Sequence, residues 1–167
     1  MMRSIAILFG AVPCAVLCVA LYGCSGRVDG KGPGTDRATD DVREAVFRYE
    51  FETNRSALGR NADFYFLAFA GDEDPPPAFM ARFADHAPPV VPISEALIEP
   101  ETGVRHRRSG GRGILFRVTS VSWPNDEVAV VQGGYYEGNL SAASGRYRVV
   151  WQAERWVVSQ YGVRPLA

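Results

Sequence analysis

Five consecutive stretches after Gly103 have the residue alternation of β-strands, and they constrain the fold more than any other feature of this sequence. They read GVRHRR, GILFRVTSVSW, EVAVVQGGYYEG, RYRVVWQA and RWVVSQYGV. Successive side chains of a strand lie on opposite faces, so each stretch has one apolar face to bury. Residues 124–126 are expected to form a tight turn, residues 139–145 a longer loop and residues 154–155 a two-residue turn. The pattern predicts consecutive antiparallel strands.

Gly133 and Gly134 lie inside the third of these strands and predict a bulge or a sharp bend that curves the sheet. Two registers are open for the third and fourth strands. The interior residues are Val128, Val130, Tyr136, Tyr147, Val149 and Trp151 in one register, and Ala129, Val131, Tyr135, Arg148 and Val150 in the other. Neither set holds an Asp, Glu or His, and tyrosine or arginine is a poor general base at neutral pH. We therefore expect no catalytic residue on the sheet.

A bulge at the two glycines would change the phase of the third strand and turn Glu137 inward. Tyr135, Tyr136, Glu137 and Asp63 are therefore the candidate lining of a ligand pocket. The alternative is that the aromatic residues fill the hydrophobic core, which a domain of this size needs.

Residues 41–59 have the spacing of an amphipathic helix. Asp41 is the expected N-cap, Glu44 completes a capping box, and Gly59 is the expected end. The apolar face comprises Val42, Ala45, Val46, Tyr49 and Thr53, widened by Phe47, Phe51 and Leu58. We expect this helix to have a broad buried face.

Between the helix and the strands, residues 63–71 are expected to form a buried strand and residues 74–86 a short helix. Four prolines between residues 88 and 100 indicate an irregular segment at the edge of the sheet. The expected fold class is α+β, with one long N-terminal helix and a short helix packed on a curved antiparallel sheet of about four to five strands.

The first 23 residues have the three parts of an export signal: Arg3, an apolar run over residues 5–21, and a processing site at residues 22–24. The alternative is a retained anchor, since residues 4–23 reach the roughly 20 residues that span a membrane.

The sequence Leu21-Tyr22-Gly23-Cys24 resembles the lipobox of bacterial lipoproteins, although Tyr22 stands where a small residue is usual. The resemblance implies cleavage before Cys24 and diacylation of its thiol, and hence an exported protein anchored to a membrane by lipid. It also implies, through Ser25, the outer membrane facing the periplasm in a Gram-negative cell. With Cys24 lipidated the mature chain has no second cysteine, so no disulfide is expected within it.

Residues 25–41 are rich in glycine and charge and lack any apolar period, which predicts a flexible tether. The expected organisation is a signal peptide over residues 1–23, a tether over residues 24–41 and a folded domain over residues 42–167.

The order of a long helix, a short helix and a curved sheet, together with the segments GGYYEG, YRVV and RWVV, resembles the cystatin-like or nuclear-transport-factor-2-like superfamily and its uncharacterised lipoproteins. The resemblance covers about residues 41–163. It implies an apolar cavity between sheet and helix in some members, and isomerase or dehydratase activity in others.

No motif for a metal or a cofactor is present, and we expect neither. His86 and His106 are the only histidines and have no partner at metal-ligand spacing. His86 follows Asp85 directly, and adjacent helical residues point about 100° apart, so a surface position at a helix end is favoured over a catalytic pair.

Arg105, Arg107, Arg108 and Arg112 form the densest cluster of charge and are a candidate patch for an anionic headgroup, an acidic glycan or a partner protein. The alternative is a solvated strand edge that resists pairing with other sheets. The formal net charge of −1 gives no field that favours nucleic acid, and none is expected as a partner.

The composition, 47% hydrophobic and 22% charged residues, is that of an ordinary globular domain. Together the observations predict a membrane-anchored lipoprotein that is not an enzyme and is either a binding module, for a small apolar ligand or an envelope protein, or a structural component of the envelope. The alternative is a cofactor-free enzyme of the isomerase or dehydratase type, with a pocket in the concave face of the sheet.

Overall fold

A computed structural model describes residues 36–164, apart from residues 55 and 57. The predicted export signal, Cys24 and the predicted tether up to residue 35 lie outside the described residues. The described part contains two α-helices, α1 (Asp36–Thr53) and α2 (Pro77–Met80), and eight strands. The strands are β1 (Phe64–Ala68), β2 (Val90–Pro92), β3 (Ala96–Glu99), β4 (Gly103–His106), β5 (Arg112–Asn125), β6 (Val128–Gly138), β7 (Ser141–Gln152) and β8 (Arg155–Arg164). The class is therefore α+β, as the sequence predicts.

Helix α1 begins at Asp36 and ends at Thr53, not at Asp41 and Gly59 as predicted. Ala38 is fully buried and precedes Val42 by four residues, so the apolar face extends one turn beyond the predicted start. Residues 36–41, assigned above to the tether, are helical, and the predicted domain boundary at residue 42 falls inside α1.

The strands form one sheet in the order β2-β1-β5-β6-β7-β8, and the β3–β4 hairpin joins it at the start of β5. The prediction of four to five antiparallel strands is wrong in number and in direction. The count is eight because the proline-rich segment contributes β2 and β3, and the sheet is mixed because β1 runs parallel to both β2 and β5. Four of the five residues of β1 are buried, which is the environment of a parallel strand covered on both faces.

Each face of the sheet has a hydrophobic core. Helix α1 packs on one face, where Val46 and Phe47 belong to the same cluster as Val131, Tyr147 and Val149. On the other face a smaller cluster is built from Phe66, Ala68, Ile93, Ala96, Val104 and Leu115. The second core covers only the end of the sheet near the β3–β4 hairpin, and beyond it the face away from α1 is open.

The irregularities of the sheet differ from the predicted bulge at Gly133–Gly134. Both glycines pair in continuous register with Gly145 and Ser144 of β7, and the extra residue lies opposite them, at Thr119 of β5. The two glycines are nevertheless required, because a Cβ at either position would collide with a backbone carbonyl oxygen of a neighbouring strand.

The predicted loop over residues 139–145 is also wrong. Strand β7 begins at Ser141, and a two-residue turn at Asn139 and Leu140 connects it to β6. Its small residues therefore form part of the sheet rather than a connection.

Candidate functional site

A groove of about 800 Å³ lies on the sheet and is lined by residues of β5, β6, β7 and β8. Its floor is made of small residues that are neighbours across the strands. Gly134 of β6 pairs with Ser144 of β7, Ala142 pairs with Tyr136, and Gly162 of β8 pairs with Arg146. Cross-strand partners share a face of the sheet, and the ring of Tyr136 packs against the second core. The groove therefore lies on the open face, away from α1.

The rim of this open-face groove carries larger side chains. Arg117 stands in the cross-strand row of Gly134, and Gln132 and Arg146 pair in the next row, so long polar side chains from two neighbouring rows border the floor. Tyr136 stands at the opposite end and donates its hydroxyl to Asn139 Oδ1 at 3.3 Å. The volume is in the range of sites for small organic molecules.

Of the two arginines that line the groove, one is paired with a carboxylate and the other is not. Arg117 Nε lies 2.6 Å from Asp72 Oδ1 in an ion pair. The side chain of Arg146 is exposed and makes no hydrogen bond or ion pair with any residue in the described part of the chain. No Asp or Glu lines the groove within that part, so its uncompensated charge is positive.

Of the four predicted pocket residues, Tyr136 presents its ring on the face of the groove. Tyr135 also borders the groove, but its side chain packs against the core on the α1 face. Glu137 is the extra residue of β6 in its pairing with β7, and its carboxylate is occupied elsewhere. It accepts hydrogen bonds from the backbone N–H of Leu58 and from Ser141 Oγ, the latter at 2.8 Å. Asp63 is exposed and accepts the backbone N–H of Arg112 at 2.9 Å. Both carboxylates thus hold backbone segments together, outside the groove.

The predicted anion patch lies on and around the turn between β4 and β5. Arg105 and Arg112 are directly paired across the strands, so two like charges face each other there. Arg105 donates to the carbonyl of Gly110 at 3.1 Å and Arg107 to that of Ser94 at 2.9 Å. Arg108 and Arg112 are exposed. The first two arginines therefore stabilise the turn, and the patch is less concentrated than its sequence suggests.

The two histidines have local structural partners. His86 Nδ1 lies 2.8 Å from the carbonyl oxygen of Pro88, and its ring packs on Phe51. His106 stacks on Phe64 at 4.3 Å, and its Nδ1 accepts the backbone N–H of Ser109. Its Nε2 lies 3.1 Å from Glu95 Oε2.

Glu50 is a site residue that the sequence analysis missed. Its side chain projects from α1 into the core against the sheet, is only 5% exposed, and accepts a hydrogen bond from the hydroxyl of fully buried Tyr147. Tyr161 stacks on Tyr147 with ring centroids 4.7 Å apart, and Tyr49 meets both rings edge-on.

The pKa values of Glu50, Tyr147 and Tyr161 are all raised. Burial raises the pKa of Glu50 above its usual value, although the hydrogen bond from Tyr147 acts in the opposite direction. Burial and the nearby Glu50 carboxylate raise the pKa of Tyr147 far above that of a free tyrosine. Burial raises the pKa of Tyr161 as well, and the charge of Glu50 adds to it. A carboxyl group with a raised pKa holds its proton at a higher pH than an exposed one.

Glu50 and the small-residue floor of the groove were both missed by the sequence analysis, and both have a signal in the sequence. Glu50 continues the series Val42 and Val46 at intervals of four residues, which places it on the buried face of α1. The signal for the groove is the presence of small residues on three consecutive strands: GG at 133–134, SAASG at 141–145 and Gly162. The small residues can be recognised as one site only once the pairing of the strands is known.

Within the described residues, no group of three or more His, Cys, Asp or Glu side chains is arranged to hold a metal ion. Over the same residues, neither helix has the length and hydropathy needed to cross a bilayer. Comparison of the chain with protein-family models, with curated proteins and with solved structures found no match.

Proposed function

We propose that this protein is an exported, membrane-anchored lipoprotein whose α+β domain binds a small organic ligand in the open-face groove. The observation that carries the binding role is the groove itself, a concave site on a face that α1 leaves uncovered. Its floor of glycine, alanine and serine gives a ligand access to the backbone of three strands. An ordinary exposed sheet face would carry a side chain at each of these positions.

Gly162 allows a direct test of this role. A Cβ added there meets no atom within 4 Å, so a larger side chain fits without strain and fills the groove. We expect Gly162→Leu to abolish binding of 2-naphthamide, an uncharged fused-ring probe, in calorimetric titrations of the full chain in neutral detergent micelles.

Gln152→Leu is the matched control, because it adds the same side chain at an exposed position of β7 outside the groove. Binding by the control together with loss in Gly162→Leu supports the proposal. Equal binding by both variants refutes it.

The anchoring role is supported by the lipobox-like sequence that ends at Cys24. The tether between the lipid and the folded domain then comprises residues 25–35, because α1 begins at Asp36. Ser25 favours the outer membrane, facing the periplasm. Intact-mass analysis of the membrane fraction tests this: the unmodified chain should start at diacylated Cys24, and Cys24→Ser should remain unprocessed and without lipid. A Cys24→Ser chain that is processed and lipidated in the same way would exclude Cys24 as the anchor.

A relationship to the cystatin-like or nuclear-transport-factor-2-like superfamily remains part of the proposal. It is supported by a helix packed on one face of a sheet whose last four strands run antiparallel. The parallel pairing of β1 with β2 and β5 departs from the all-antiparallel sheet expected from that resemblance.

Glu50 favours a second candidate function, a cofactor-free enzyme of the isomerase or dehydratase type. A carboxyl group with a raised pKa beside a tyrosine hydroxyl is suited to general acid–base chemistry. Glu50 and Tyr147 do not line the open-face groove, which makes the binding role the better supported of the two. Loss of a measured turnover in a folded Glu50→Gln variant would favour the enzyme.

A further inference from the structure

We infer that the open-face groove selects planar organic anions and that Arg146 binds their anionic group. This inference rests on the proposed function, since it specifies the chemistry of the ligand in the same groove. It follows from the charge of the lining, from the row in which Arg146 stands, and from the shape of the floor.

The charge of the groove is the first argument. Its lining contains two arginines and, within the described residues, no carboxylate, although the whole chain has a formal net charge of −1. Asp72 already neutralises Arg117 through the 2.6 Å ion pair, so the free positive charge belongs to Arg146. A guanidinium group binds a carboxylate through two parallel hydrogen bonds, and this geometry favours anions of that shape.

The position of Arg146 is the second argument. Arg146 stands between Gln132 and Gly162 in one row across β6, β7 and β8. Gln132 adds an amide donor beside the guanidinium group, and Gly162 leaves the other side open. An anion at this end of the groove therefore has access to donors of both residues.

The floor is the third argument. Gly134 of β6 lies beside Ser144 of β7, with Ala142 further along β7, and Gly162 of β8 lies one row away, beside Arg146. These small residues therefore lie on three adjacent strands, which at normal strand spacing span about 10 Å, but they do not share one row. Tyr136 lies four residues from Gln132 along β6, roughly 13 Å away, and presents its ring at the far end of the same face. A flat fused-ring acid fits this arrangement, with its ring over glycine and alanine near Tyr136 and its acid group at Arg146.

The test compares 2-naphthoate with its uncharged analogue 2-naphthamide, using calorimetric titrations of the full chain in neutral detergent micelles. We expect the unmodified chain to bind naphthoate about tenfold more tightly than naphthamide, as one charge-assisted hydrogen-bonded pair provides. Arg146→Gln should remove this preference by lowering the affinity for naphthoate to about that for naphthamide. Arg108→Gln, which removes the same charge from an exposed position outside the groove, should leave both affinities unchanged.

The outcomes separate this inference from the proposed function. If both probes bind with equal affinity and Arg146→Gln changes neither, the inference is wrong and the groove remains a binding site. The inference is also wrong if Arg108→Gln removes the preference as fully as Arg146→Gln, because the preference for naphthoate would then come from the net charge of the chain and not from Arg146. If neither probe binds, or Gly162→Leu leaves binding intact, both the proposed function and the inference fail.

Discussion

Glu50 shows how one residue can couple the core of this protein to pH. It is the only buried Asp, Glu, Lys or Arg among the residues that the structure describes. Burial penalises its ionised form, and the hydroxyl of Tyr147 is its hydrogen-bond partner. Because the folded pKa lies above the unfolded value of about 4.3, the unfolded chain ionises first as the pH rises.

This arrangement predicts a pH-dependent gain for Glu50→Gln. The stability that neutral Glu50 contributes is fully present below about pH 4 and is lost as the pH rises through the folded pKa. The amide of Gln still accepts the Tyr147 hydroxyl and does not ionise. We therefore expect the unfolding free energy of the variant, relative to the unmodified chain, to be higher at pH 8 than at pH 4 in urea titrations.

Glu52→Gln is the control for this prediction, because it removes the same charge from an exposed position of α1. If the two variants change in parallel between pH 4 and pH 8, the effect belongs to net charge rather than to the buried carboxyl group.

At the scale of elements, the glycine-rich segments of β6 and β7 shape both faces of the sheet. A Cβ at Gly145 would collide with the ring of Tyr161, and one at Gly133 would touch the ring of Tyr147 at 3.5 Å. The same segments that leave the groove open on one face therefore let the tyrosines of the Glu50 cluster lie against the backbone on the other. The two candidate sites share these strands.

The β7–β8 hairpin offers a prediction at the same scale. Its turn residues Ala153 and Glu154 have φ values of 49° and 61°, a left-handed conformation that favours asparagine and glycine. The double change Ala153→Asn and Glu154→Gly should raise the unfolding free energy by about 1 kcal/mol. Thermal unfolding of the full chain measures it.

A matched control is Asp126→Asn and Glu127→Gly, the same two new residues in the β5–β6 turn, where neither position has a positive φ. We expect that variant to be no more stable than the unmodified chain. A lower melting temperature for the β7–β8 variant would show that the turn does not adopt the left-handed conformation.

At the scale of the whole molecule, the first turn of α1 belongs to the folded domain. Ala38 is fully buried, and Asp41 forms a 2.7 Å ion pair with Arg82 after α2. These contacts connect the start of α1 to the rest of the domain. A domain that began at residue 42, as predicted, would lack both of them.

This boundary predicts different stabilities for two truncated chains. A chain of residues 36–167 should retain the stability of the full protein, whereas a chain of residues 42–167 should lose roughly 2 kcal/mol because it lacks a buried residue and a helical turn. Urea unfolding of both chains measures the difference. Equal midpoints and slopes for the two would show that residues 36–41 do not contribute to the fold.

The sequence by itself determined the α+β class and most of the apolar face of α1. Period-two alternation and helical spacing are local properties, and each specifies an element without knowledge of its neighbours. The alternation of its strand likewise made Tyr136 a candidate for the pocket.

Only the tertiary structure decided which strands pair and what their faces carry. The parallel pairing of β1, the bulge at Thr119 and the position of the groove depend on register between strands that are distant in sequence. Glu50 and Tyr147 are separated by 97 positions and meet only because α1 packs on β7. Local patterns carry no information on such contacts, since the energy that selects them comes from packing both faces of one sheet.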